Sequence, residues 1–148
     1  RTVPCISRQT LAQLFLQLDQ VRALKDVSPT LCHGDLTLQN MIVDHDGVIW
    51  VVDLLDAPFE HYWQDLAKLH QDLVGGWFLL DQPAVAQCVL DHVSRQLLAN
   101  TAQLNADYLA IHNLLVALTF VRILPYARSA EQRDFILSRI DYFASREE

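Results

Sequence analysis

The chain has 148 residues, 51% of them hydrophobic, enough apolar side chain for a packed core and too much for a disordered tail. Eleven basic residues against eighteen acidic ones give a formal net charge of -7. That balance speaks against a nucleic-acid surface, whose footprint is basic, and against docking on an anionic membrane face.

The first residues, Arg1-Thr2-Val3-Pro4, carry charge and proline rather than the apolar run of a signal segment. With no initiator Met, the expectation is an excised piece of a larger protein. Cys5, Cys32 and Cys88 are odd in number and form no CxxC pair, which reads as reduced, mostly buried thiols in a cytoplasmic protein. Cys32 beside His33 reads as a small apolar residue leading into a loop rather than as a nucleophile. Leu11, Leu14, Phe15, Leu18 and Val21 recur at helical spacing and predict a helix over 7–24, capped by Ser7 or Thr10. Gln13, Gln17 and Gln20 fall on its other sides as a solvated surface. Ser28-Pro29 marks the loop that follows.

Residues 31–56 read LCHGDLTLQNMIVDHDGVIWVVDLLD. Two apolar runs, Met41-Ile42-Val43 and Val48 to Val52, flank Asp44-His45-Asp46-Gly47, a β-hairpin signal. Asp44 and Asp46 are turn formers, since Asp bonds its own neighbouring backbone. A hairpin returns its ends to one place, so Asp35, Asn40 and Asp53 can converge there. The chemistry this suits is phosphoryl transfer, which needs oxygen ligands for Mg2+ and an acceptor hydroxyl held in line. The order Asp, Asn five residues on, then a later Asp is the order used by protein kinases.

His33-Gly34-Asp35-Leu36-Thr37 with Asn40, followed by Val51-Val52-Asp53-Leu54-Leu55-Asp56-Ala57, resembles the catalytic and metal loops of the aminoglycoside phosphotransferase and choline kinase group. The resemblance implies Asp35 as the catalytic aspartate, Asn40 and Asp53 as Mg2+ ligands, and His33 and Asp56 as residues that support the loops. It also implies ATP as phosphoryl donor and Mg2+ as cofactor. Asp65-Leu66-Ala67 resembles the helix start that follows this motif. Thr37 stands where the group commonly has histidine, Leu38-Gln39 replaces a Pro-Gly-like pair, and Leu54-Leu55 replaces an aromatic-led pair. These departures bear on the substrate, not on the metal chemistry.

Beyond Ala57-Pro58 a helix is expected over about 61–73, with Trp63, Leu66, Ala67, His70 and Leu73 inward. Asp65 suits the start of that helix, where structural and active-site roles compete equally. His61 and His70 lie too far apart for a helical metal pair and read as satisfied or exposed histidines. Gly75-Gly76 lacks the spacing of a phosphate-binding glycine loop. A helix over 84–99 would carry Val85, Cys88, Val89, His92 and Gln96 on one stripe. Tyr108 to Leu124 is apolar nearly all round and predicts one buried helix, interrupted by His112, Asn113 and Arg122 and so no membrane span. Arg122 should pair with a carboxylate or reach the surface. A last amphipathic helix over 131–144 runs through Phe135, Ile136, Ile140 and Phe143.

The fold class expected is mainly α with a small β-hairpin (α+β), one domain over 1–148 with a helical subdomain at 61–145. The resemblance implies the C-terminal lobe of the protein-kinase-like phosphotransferase fold, its N-terminal lobe missing. Nothing before residue 31 offers the strands or lysine-glutamate pair of that lobe, and Lys25 is the one lysine there. The expected function is a fragment of an ATP- and Mg2+-dependent small-molecule kinase acting on a substrate hydroxyl, inactive alone. Its partners would be a small hydroxyl acceptor and the missing lobe, with no nucleic acid or membrane. The alternatives are a non-catalytic kinase-like binding module and, last, a metal hydrolase using Asp53 and Asp56, which leaves Asn40 and His33 without a role. Trp63, Trp77, Tyr108 and Tyr126 are acceptor-contact candidates only where exposed; the substrate-binding residues are unknown.

Overall fold

The computed structural model describes residues 5–21, 28–55, 61–80, 87–104 and 106–146. Its described part is mainly helical with one two-stranded antiparallel sheet. The chain falls into two compact units, one comprising residues 1–26 and 105–148 and the other Val27–Leu104.

The second unit holds the hairpin. Strand β1 (Met41–Val43) pairs with β2 (Ile49–Val51), Met41 opposite Val51 and Val43 opposite Ile49. Asp44 makes the turn: its Oδ1 accepts from the Asp46 and Val48 amides at 3.0 and 2.9 Å, and its Oδ2 from Trp50 Nε1 at 2.8 Å. Those bonds, the Trp50 indole first, hold the Asp44 carboxyl below its usual pKa. Gly47 takes φ +79°, which a Cβ would strain. Helix α2 (Tyr62–Leu73) follows, its N-cap the His61 ring accepting from Trp63 N at 3.2 Å. Trp63, Ala67, His70 and Leu73 are buried as expected, but so are Asp65, Lys68, Gln71 and Asp72. A helix this polar and this buried must find partners for nearly every side chain. His70 does so through Nδ1 and the Leu66 carbonyl, 2.8 Å apart.

Helix α3 (Gln87–Leu104) packs on α2. Its inward stripe is Leu90 and Ser94, whereas Cys88, Val89 and Val93 are exposed. The stripe expected through Cys88 and Val89 is therefore out of phase, because Ser94 is buried where apolar periodicity alone would put it outside. Cys5 is exposed too, so the expectation of mostly buried cysteines fails at Cys5 and Cys88.

In the first unit, α1 (Arg8–Val21) is capped by Ser7, whose Oγ accepts from Thr10 N at 3.0 Å. Its packed face carries Thr10, Leu14 and Gln17: the Thr10 hydroxyl donates to Asp141, and Gln17 Nε2 donates to the Ala144 carbonyl at 3.0 Å. Phe15, expected inside, is 65% exposed, since these polar ties rotate the helix away from its apolar stripe. The long helix expected over 108–124 is instead α4 (Ala106–Leu109) and α5 (His112–Ile123). Ile111, at φ -125° and ψ 4°, leaves helical space between them, and His112 Nδ1 meets the Tyr108 hydroxyl at 2.9 Å across the break. Arg122 reaches the surface. Pro125 then sits in a 3-10 turn. Helix α6 (Ala130–Ala144) is capped by Ser129 and packs Ile136, Ile140 and Phe143 against α5, with Phe143 stacked on Phe120 at 6.1 Å between ring centroids. No helix among the described residues is long and apolar enough to cross a membrane.

Candidate active site

The loop from His33 to Asn40 is held from behind by one face of α2. Asp65, at the start of that helix, accepts from two successive backbone amides, His33 N at 2.6 Å and Gly34 N at 2.9 Å. Two N–H groups can aim at one carboxylate only if the chain turns sharply, and Gly34 supplies the turn with φ +84°. Gln64 Nε2 donates back to the Gly34 carbonyl at 2.9 Å. Two turns further along α2, Asp72 Oδ2 accepts from Leu38 N at 2.7 Å. The loop is thus pinned on both sides of Asp35.

Asp35 itself meets Lys68, whose Nζ lies 2.8 Å from Oδ1 and 3.4 Å from Gln71 Oε1. Lys68 is only 3% exposed. Burial of an ammonium is costly unless it is paired, and the paired oxygen here belongs to the predicted catalytic carboxylate. Burial also raises the Asp72 carboxyl, from 3.8 to about 6; the Leu38 amide and the Lys68 charge pull it back, and Asp35 pushes it up.

The far side of the loop is tied to the hairpin. Asn40 Nδ2 donates to the Asp35 carbonyl at 2.9 Å, which leaves its Oδ1 for another partner. The Asn40 carbonyl accepts from Val52 N at 3.0 Å, directly beyond β2. His33 bridges the same gap. Its Nε2 stands 2.8 Å from the Val52 carbonyl and its Nδ1 3.4 Å from Asp35 N, so a neutral ring with the proton on Nε2 serves both. The His33 carbonyl accepts from Leu55 N at 3.0 Å. These bonds join the segments carrying Asp35, Asn40 and Asp53. Asp53 takes φ +65°, a left-handed conformation Asp tolerates better than most side chains, and is exposed. Asp56 lies outside the described residues, as do Ala57 and Pro58.

Of the four aromatic candidates for an acceptor contact, Trp63 and Tyr108 are buried, Trp77 is half-buried, and Tyr126 is 77% exposed. Asp44, His45 and Asp46 form a carboxylate-imidazole cluster at the hairpin tip, but the bonds that Asp44 accepts are those of a turn. A cavity of about 710 Å3 lies in the first unit among α1, α5 and α6, lined in part by Gln17, Asn113 and Arg146, and contains none of the predicted site residues.

Lys68, Gln71 and Asp72 carry no assigned role in the sequence reading, and Asp65 stands there between two, yet these side chains hold the loop. The available signal was spacing: 65, 68 and 72 differ by three and four, one face of a helix, and charged residues on a face flanked by apolar ones must be paired.

The chain belongs to the phosphotransferase enzyme family (APH), whose family model matches residues 4–106, a span that includes every residue of this site. No curated protein and no solved structure matches it.

Proposed function

We propose that the chain is the catalytic C-terminal lobe of a small-molecule kinase of this family, which transfers the γ-phosphoryl of ATP to a substrate hydroxyl with Mg2+. The observation that carries the reading is the set of backbone bonds, through His33, Asn40 and Val52, that ties the segments bearing Asp35, Asn40 and Asp53 together within a phosphotransferase family match. Asp35 offers Oδ2, the oxygen not taken by Lys68, to the acceptor hydroxyl and receives its proton as the new P–O bond forms. The bond from the γ-phosphorus to the bridging oxygen breaks, and ADP leaves. Asn40 Oδ1 and the Asp53 carboxylate are hard oxygen donors with no hydrogen bond among the described residues, which suits them to Mg2+. When bound, Mg2+ neutralises charge on the β- and γ-phosphates. His33 fixes the spacing between the two loops.

The apolar hairpin supports a second lobe above the site. Ile42, Val43, Ile49 and Trp50 are each at least half exposed, with Trp50 at 58%, which is more apolar surface than a small sheet leaves to water without a cover. The acceptor class is a sugar, an amino-alcohol or an aminoglycoside. The test is ATP turnover by the natural full-length protein with glucosamine, galactose, choline and an aminoglycoside, each with Mg2+ and with excess chelator. Chelator-sensitive formation of a phosphorylated acceptor is the expected result. ATP and acceptors that remain unchanged at every condition, with the nucleotide bound, would favour a binding module instead. The 148-residue chain alone is expected to show no turnover.

A further inference from the structure

The catalytic carboxylate in this site is not left to find its own orientation. Asp65, Lys68 and Asp72 stand on one face of α2 and engage the loop at residues 33–34, 35 and 38 in turn. The two flanking aspartates accept hydrogen bonds from backbone amides. Lys68 meets the Asp35 side chain directly, with Nζ at 2.8 Å from Oδ1, and lies 3.4 Å from Gln71 Oε1. The Asp35 side chain is 29% exposed and that of Lys68 4%, so the ammonium is enclosed while the carboxylate stays in reach of solvent.

We propose that Lys68 is the positioning residue of this enzyme, fixing Asp35 by one oxygen so that the other meets the acceptor hydroxyl. The inference rests on Asp35 being the proton acceptor. Its reason is geometric: an aspartate side chain has two free torsions, and a carboxylate anchored by a single buried charge-assisted hydrogen bond presents its second oxygen in one direction. Lost placement of about an ångström costs on the order of 10^2-fold in rate, so removal of the anchor is expected to slow the chemical step and leave nucleotide affinity alone. Lys68 is itself only 3% exposed.

A double-mutant cycle on the full-length protein tests this. Lys68→Met is expected to lower kcat by about 10–10^2-fold while the KM for ATP stays within about twofold, and Lys68→Arg, which keeps the charge, is expected to recover much of the loss. In an Asp35→Asn background, Lys68→Met should cost nothing further, since the two residues act as one unit. An equal loss in both backgrounds would overturn the proposal, as would a raised KM for ATP at unchanged kcat. Turnover that survives Asp35→Asn would overturn the functional reading itself. Independently of turnover, the side-chain carboxyl 13C signal of Asp35 in this chain should move in Lys68→Met and hold its place in Lys68→Arg; a signal indifferent to Lys68→Met, with the fold intact by circular dichroism, counts against the pairing.

Discussion

Asp65 shows how much a single side chain can hold at the residue scale. It accepts from two neighbouring amides, at His33 and Gly34, and is itself nearly enclosed. Asp65→Ala would strand both donors, and is expected to cost about 2–4 kcal/mol, read by urea unfolding. Asp72 carries a pH signature. Burial raises its carboxyl to about 6 in the folded chain against 3.8 as the reference, so the folded state prefers it protonated. The stability this group contributes is present below about pH 4 and is lost as pH rises through about 6, an effect of about 3 kcal/mol. Asp72→Asn, which keeps an oxygen for Leu38 N, is expected to flatten that part of the pH-stability profile; an unchanged slope would place the titration elsewhere. The joining of the segments that carry Asp35, Asn40 and Asp53 was legible, because a hairpin returns its ends to one place. Lys68 was not, because its partner lies thirty-three residues away and helical periodicity records only which face a residue occupies.

Among elements, the hairpin was readable from its Asp-Gly turn and flanking apolar runs, and its register puts Asn40 and Val52 side by side. Its consequence is Asp53, held at φ +65° where Asn is tolerated as well as Asp. Asp53→Asn is therefore expected to leave the thermal midpoint within a few degrees while Mg2+-dependent turnover falls by at least about 10^2-fold, which separates a metal ligand from a structural turn. Helices α1, α2, α3 and α6 were legible nearly in length, but not always in facing. Helix α1 turns Thr10 and Gln17 inward for the sake of Asp141 and the Ala144 carbonyl, and such polar ties are invisible to a hydrophobic pattern. The break at Ile111 was hidden for a related reason: the apolar run continues through it, and only the backbone records the turn.

For the molecule as a whole, the mainly α character with one small sheet followed from composition and periodicity, whereas the division into two compact units did not. Each unit has its own packing. In the first, Phe120 stacks on Phe143 between α5 and α6, and Phe120→Ala is expected to cost about 3–5 kcal/mol in unfolding experiments, as large aromatic truncations do. In the second, the loop from His33 to Asn40 is braced by the polar face of α2, so under the proposed function stability and chemistry share the same residues. The measurement that bears most directly on the central claim is Mg2+-ATP turnover of the full-length protein against its Asp35→Asn variant, with its best acceptor from the panel. The account predicts a loss of about 10^2–10^4-fold in kcat with nucleotide binding retained. Equal turnover in the two proteins would contradict it.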